Sequence, residues 1–144
     1  MKVIIKKVTS AEEEEAVIKT VQVTDSIGTA ISLLENGEKT LMCVKDGESI
    51  PCLFSAIYYI ETIEDKTFVY TKNECLENKS RLYELESNLD FRFFRCSKSM
   101  ILNVKKIKSV KAVDNAKMEA TLLNDEKVVI TRSYVKTLKK RLGL

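Results

Sequence analysis

From Glu38 onward the chain is divided into strand-length apolar stretches by short polar turns, and this spacing restricts the fold more than any other feature. Thr40 to Lys45 and Ser49 to Leu53 are joined by Asp46-Gly47, a dipeptide that accepts the positive φ a tight hairpin needs. Ile57 to Ile63 and Lys66 to Lys72 flank Glu64-Asp65, and Glu74 to Asn78 adds a short strand. A helix is expected from Lys79 or Ser80 to about Asn88, with Leu82, Leu85 and Leu89 as its apolar stripe. Strands then follow at Arg92 to Cys96, Met100 to Val104, Ile107 to Val113, Lys117 to Leu123 and Lys127 to Ile130, with turns at Asp114-Asn115 and Asn124-Asp125. Thr131 caps a last helix with Val135, Leu138 and Leu142 inward and lysines outward. Phe93, Ile101, Ile107, Val129 and Leu138 are core by pattern. There is no alternation of βαβ units, so the expected class is mainly β within α+β, with elongated antiparallel sheets and two short helices.

Ahead of this lies a smaller piece, residues 1–38. Lys2 to Val8 and Ala16 to Val21 read as strands, separated by an exposed acidic run at Glu12 to Glu15. Thr24 or Asp25 caps a helix whose apolar positions Ile27, Ala30, Ile31 and Leu34 keep the helical period, and Asn36-Gly37 ends it. This β-β-α extension is too small to hold its own core and is expected to pack on residues 39–144, in a dimerisation or regulatory role.

Several function classes are excluded. The apolar run from Ile50 to Ile60 is broken by Pro51 and Ser55 and falls far short of the roughly 20 residues a membrane-spanning helix takes. Lys6, Lys7 and the glutamates that follow do not make a signal peptide, so a cytoplasmic protein is expected. The four cysteines, Cys43, Cys52, Cys75 and Cys96, have no metal-ligand spacing and the chain has no histidine, so they read as buried reduced thiols. Cys96, between Arg95 and Lys98, is the one candidate for a reactive thiol. Without histidine, a Gly-rich phosphate loop or a nucleophile motif, no catalytic, cofactor or metal site is expected, and the chain does not read as an enzyme.

Charge is unevenly distributed. Residues 1–50 carry six Lys against nine Asp and Glu, whereas from Phe91 onward fourteen basic residues face four acidic ones, a net +10 over the last 54 residues. That excess is a candidate footprint for a polyanion, although a Lys-rich solvated surface produces the same count.

The order Ile57-Tyr58-Tyr59-Ile60-Glu61, Leu82-Tyr83-Glu84-Leu85-Glu86, Phe93-Phe94-Arg95-Cys96-Ser97-Lys98-Ser99-x-Ile101-x-Asn103 and Thr131-Arg132-Ser133-Tyr134 resembles the LytTR family of bacterial DNA-binding domains over about residues 40–144. The resemblance implies a response-regulator-type transcription factor that reads duplex DNA through loops in successive major grooves. Carried onto this chain, the loops present Lys66 or Thr67, then Ser97 and Lys98, then Arg132. Ser97 and Thr67 stand where many members have histidine, so the positions carry over without the base preference. The usual receiver domain has no counterpart in the front piece. Short members that share such a piece imply a small multi-span membrane protein as a restraining partner, and a homodimer is the other implied association.

The residue chemistry supports these roles separately. The arginine fork can bond O6 and N7 of guanine together, which makes Arg132 the specificity candidate. Lys98 reaches a base edge or a phosphate, with the hydroxyls of Ser97 and Ser99 and, beside Arg132, that of Ser133 as phosphate donors. Lys105, Lys136 and Lys139 are backbone-clamp candidates, each equally readable as a solvated lysine. Asn103, at a strand end, is assigned to bracing a loop. Tyr58, Tyr59, Phe93 and Phe94 are too clustered in apolar strands to make a stacking platform for single strands. The competing reading is a protein-interaction or small-ligand module with an incidental basic surface, which predicts weak DNA binding independent of sequence.

Overall fold

Tight turns set the antiparallel plan. Asp46 and Gly47 take φ of 51° and 79°, and Glu64 and Asp65 take 50° and 66°, so both pairs adopt the left-handed conformation that folds two strands back with matching twist. They close β1 (Thr40–Lys45) on β2 (Glu48–Leu53) and β3 (Tyr59–Ile63) on β4 (Lys66–Tyr70). The turn after β8 (Ile107–Val113) centres on Asn115 and Ala116, one residue beyond the expected dipeptide, and leads to β9 (Lys117–Leu122) and β10 (Lys127–Ile130). With β5 (Cys75–Asn78), β6 (Phe93–Ser97) and β7 (Met100–Asn103), the strands form a seven-stranded antiparallel sheet ordered β2-β1-β5-β4-β3-β7-β6 and a three-stranded sheet ordered β10-β9-β8. The helices are α1 (Asp25–Asn36), α2 (Leu82–Asn88) and α3 (Arg132–Leu142). This is a computed structural model that describes residues 1–144, apart from the side chain of Asn36.

Strand side chains alternate between faces, and in the part of the large sheet formed by β3, β7 and β6 both faces are buried. Ile60, Val69, Phe93 and Ile101 point to one side, where Leu82 and Leu85 of α2 cover them together with Cys43, Cys52, Phe54 and Leu76. Their neighbours Tyr59, Phe94 and Leu102 point to the other side, onto Met118, Ala120, Leu122, Val128 and Ile130 of the small sheet and Leu138 of α3. The same four-residue strand β7 thus contributes to two cores. Of the residues assigned to the core, Val129 is the exception, 43 % exposed because Val128 and Ile130 take the inward positions on β10. Cys75 is likewise exposed, whereas the other three thiols are buried.

At the end of β7 the Asn103 amide is fully buried. Its Nδ2 donates to the Ile57 carbonyl at 2.8 Å, its Oδ1 accepts from the Lys105 N–H at 3.0 Å, and its own N–H donates to Tyr58 at 3.0 Å. It binds two consecutive carbonyls ahead of β3 and starts the 3-10 turn Val104–Lys106 that carries the chain into the small sheet. Nearby, buried Arg92 pairs with Asp90 at 2.7 Å and lies over the Phe54 ring. Burial alone would raise the Asp90 carboxyl, but the hydrogen bonds and charge of Arg92 outweigh it and hold the group below its ordinary range.

The front piece departs from expectation. α1 starts and stops as read: Thr24 Oγ1 accepts from Ile27 N at 3.4 Å, and Gly37 ends it at φ 71°. Residues 2–8 and 16–21, however, are not strands, and only a 3-10 turn at Ala11–Glu13 interrupts an otherwise extended, exposed course. Side-chain pattern marks what can become a strand, but a strand exists only when another backbone pairs with it. α1 is anchored through buried Ile27, the Phe91 ring lying against Gly28, and Asp25, which accepts from Arg141 Nε of α3 at 2.9 Å.

Asn103→Ala leaves the buried Ile57 carbonyl and the partly buried Lys105 N–H without their side-chain partner and is expected to lower unfolding free energy by about 2–4 kcal/mol in urea titrations. Asp90 has its pKa depressed on folding, so its stabilisation is present above the ordinary value of 3.8 and is lost as pH falls through the lower folded value. Asp90→Asn should therefore be less stable than the parent at neutral pH and lose stability less steeply on acidification below that value, as followed by circular dichroism.

Candidate nucleic-acid interface

Three segments far apart in the chain meet at one end of the large sheet. The β3–β4 tip sits beside the β6–β7 tip because β3 pairs with β7, and Thr62 N–H donates to the Ser99 carbonyl at 2.9 Å. The β6–β7 tip is tied to the start of α3, since the Cys96 carbonyl accepts from Thr131 N–H at 3.0 Å and Thr131 Oγ1 at 3.4 Å. Thr131 is the N-cap of α3 by position, yet its hydroxyl makes this cross-link instead of a bond to its own helix.

The Ser97–Ser99 turn is rigidly held. Arg95 Nε donates to the Ser97 carbonyl at 2.8 Å, its Nη2 donates to the Lys98 carbonyl, and its Nη1 pairs with Glu86 at 2.6 Å. Ser97 Oγ accepts from Ser99 N–H at 3.2 Å and lies 3.4 Å from Ser99 Oγ. The serine hydroxyls therefore help close the turn, while the Lys98 side chain extends to solvent with no partner among the described residues. Arg95 is a brace that the sequence did not mark. Only the alternation of β6, which places Arg95 between inward Phe94 and Cys96 on the opposite pleat, hints that it lies along the sheet rather than at the tip. Cys96 is fully buried, its Sγ is 3.6 Å from the Met100 carbonyl, and burial pushes the thiol up to about 12, which removes the reactive-thiol reading.

α3 buries Leu138 and packs Tyr134, Val135 and Leu142 on the core, so its other face is free. Arg132, Ser133, Lys136, Lys139 and Lys140 are exposed there, and none of its four cations makes an ion pair among the described residues. Arg132, Lys136, Lys139 and Lys140 line a shallow groove with Val135 and with Ala116 of the β8–β9 turn. The contrast with other basic residues is informative: Lys45, Lys66, Arg92, Arg95, Lys108, Lys111, Lys127 and Arg141 each have a carboxylate within 4.0 Å.

The structure thus brings Lys66, Ser97, Lys98, Ser99, Arg132 and Ser133 to one end, with Lys136 and Lys139 continuing along α3. Two expected contacts lie elsewhere. Thr67 is buried and its hydroxyl donates to the Ser80 carbonyl at 2.8 Å, so Lys66 alone represents the first loop at the surface. Lys105 follows the opposite end of β7, where its ammonium donates to Ser26 of α1 at 3.2 Å. Lys66 itself lies 3.9 Å from Glu77, a loose exposed pair that contributes little to stability.

A cationic helix start clamped to a hairpin tip and mounted on a two-core β scaffold defines a DNA-binding module. The chain belongs to the LytTR family: residues 47–143 match the family model described as the LytTr DNA-binding domain. The transcriptional regulatory protein YpdB of Escherichia coli is 34% identical over 125 residues, which are 85% of this chain but only 50% of that protein, so the chain spans half the length of this relative. An uncharacterised HTH-type transcriptional regulator of Staphylococcus aureus is 29% identical over 122 residues, 83% of each chain. A solved LytTr DNA-binding domain from Bacillus cereus superposes with a TM-score of 0.70 at 29% identity, over 75% of this chain and all of that one. The family is one of bacterial transcriptional regulators. Among the described residues no helix is long and apolar enough to cross a membrane.

Arg95→Ala is expected to free the Ser97–Ser99 turn at a cost of about 1–2 kcal/mol in global stability. Faster amide hydrogen exchange confined to residues 96–99 is the accompanying sign, and unchanged exchange there would show that the turn does not depend on Arg95.

Proposed function

We propose that this LytTR domain reads duplex DNA sequence-specifically, with the start of α3 and the β6–β7 tip entering the major groove and the β3–β4 tip reaching the next one. Arg132 is the base reader. The observation that carries this is its position: exposed, without an ion pair among the described residues, at the first turn of α3, and fixed through Thr131 and Cys96 to the tip that holds Lys98. Arginine's planar fork can engage O6 and N7 of guanine bidentately, and amides at a helix start favour an anionic phosphate alongside. Lys98 and Lys66 serve the two tips, with Ser97, Ser99 and Ser133 as short-range donors to phosphate once the turn is in place. Lys136 and Lys139 track the backbone along α3.

The chain works in the cytoplasm as a transcriptional regulator. Residues 39–144 form the DNA-binding unit, and residues 1–38 an extension for dimerisation or regulation. A homodimer would link two modest half-sites into a tighter one. Support for a small multi-span membrane protein as a restraining partner comes only from the resemblance to short family members.

Selection from random duplexes at two salt concentrations tests the assignment. Arg132→Ala should relax one position of the recovered motif, at about 1–3 kcal/mol. Combined Lys136→Ala and Lys139→Ala should leave the motif intact and flatten the dependence of log K on log salt by about 2. Retention of no duplex even at low salt would refute the proposal.

A further inference from the structure

The front piece exposes aliphatic surface that the monomer leaves uncovered. Val3 is 78 % exposed, Ile5 87 %, Val17 71 % and Val21 105 %, with Ile4, Val8 and Val23 also uncovered. On residues 16–23 the exposed valines 17, 21 and 23 fall at odd positions, with Lys19 between them, and nothing among the described residues covers them. The opposite side meets α1. There Ala16, Ile18, Ile31 and Leu34 form the floor of a groove, and Glu14 and Glu15 stand at its rim.

Val3-Ile4-Ile5-Lys6-Lys7 has the chemistry to occupy this site. Laid antiparallel along residues 14–18, it sets Val3 opposite Ile18, Ile4 opposite Val17, Ile5 opposite Ala16, Lys6 opposite Glu15 and Lys7 opposite Glu14. Each aliphatic meets an aliphatic and each ammonium meets a carboxylate, the cross-strand pairs that stabilise antiparallel sheet. The chain's own residues 2–8 do not take this place, since neither segment is a strand among the described residues. A surface that carries both a strand and its complement is self-complementary, which is what a two-fold interface requires.

We propose that residues 2–7 of one copy pair with residues 14–19 of a second copy, and the reverse, so that reciprocal arm exchange makes the chain a dimer; this rests on the two-copy reading above and assigns the surface responsible. Each copy brings four exposed aliphatic side chains, Val3, Ile4, Ile5 and Val17, into the pairing, and the two-fold exchange covers them on both copies at once. Because α1 is pinned to α3 through Asp25 and Arg141, the exchange also fixes the two DNA-binding ends relative to each other.

Analytical ultracentrifugation of the full chain and two charge-reversal variants tests this. Lys6→Glu with Lys7→Glu places four carboxylates together in each exchanged pair, and Glu14→Lys with Glu15→Lys places four ammonium groups together. Each is expected to weaken the dimer by ~100-fold, since like charges set face to face across an interface are strongly unfavourable. Mixing the two variants should restore a heterodimer, because both trans pairs regain opposite charge, a rescue that pairing within one chain does not give. All four substituted side chains are exposed, so circular dichroism should match the parent. A parent chain that stays monomeric at every concentration overturns both the two-copy reading and the arm exchange. A parent dimer that neither variant weakens, or that is not restored on mixing, overturns the arm exchange alone.

Discussion

The buried Asn103 amide holds the point where the chain leaves one sheet for the other. It ends β7, grips the approach to β3 and begins the turn into β8. An apolar residue there would leave the buried Ile57 carbonyl without its donor and the Lys105 N–H without its acceptor, so the amide braces the joint rather than serving as a surface contact. From this joint follows the position of everything at the other end of β7. The strand is short, its pairing with β3 and β6 is fixed, and the Ser97–Ser99 tip is therefore carried at a set place beside the β3–β4 tip.

The second constraint is electrostatic. Three arginines in the basic C-terminal segment are consumed by the fold: Arg92 against Asp90, Arg95 across the back of the β6–β7 turn, and Arg141 between α3 and α1. Their planar, always-charged forks suit this role, since each satisfies several acceptors at once. Arg141 also donates to the carbonyls of Phe91 and Phe93, so one side chain joins the end of α3, the entry to β6 and the start of α1. Eight basic residues from Phe91 onward have no carboxylate partner among the described residues. Of these Lys105 donates to Ser26 and Lys106 lies over the Tyr58 ring, so Lys98, Lys117 and the outer face of α3 carry the cations left open, a narrower surface than the net charge suggests.

Much of the scaffold was legible because its determinants are local. Asp46-Gly47 announces a hairpin through its own backbone preference, Glu64-Asp65 marks one as the polar break between two strand-like runs, and α1 carries its cap and stop signals. Asn103 was assigned correctly as a brace because a polar amide ending an apolar alternation has few other uses. The errors share a physical cause. Residues 2–8 and 16–21 have strand character without a partner strand, Val129 sits on the outward phase of β10, and Thr67 faces Ser80. Each depends on what lies across from the residue, which a pattern along the chain does not contain.

By itself the sequence determined the antiparallel class, the hairpin positions and a positively charged C-terminal segment, since these follow from periodicity, turn conformations and residue types. Only the tertiary structure decided which cations are free. Arg95 and Arg132 look alike in sequence, yet one is bonded to the carbonyls of Ser97 and Lys98 and the other stands open at a helix start. The difference arises because charge is a property of a residue, whereas availability is set by the carboxylates and carbonyls that folding brings within hydrogen-bonding distance.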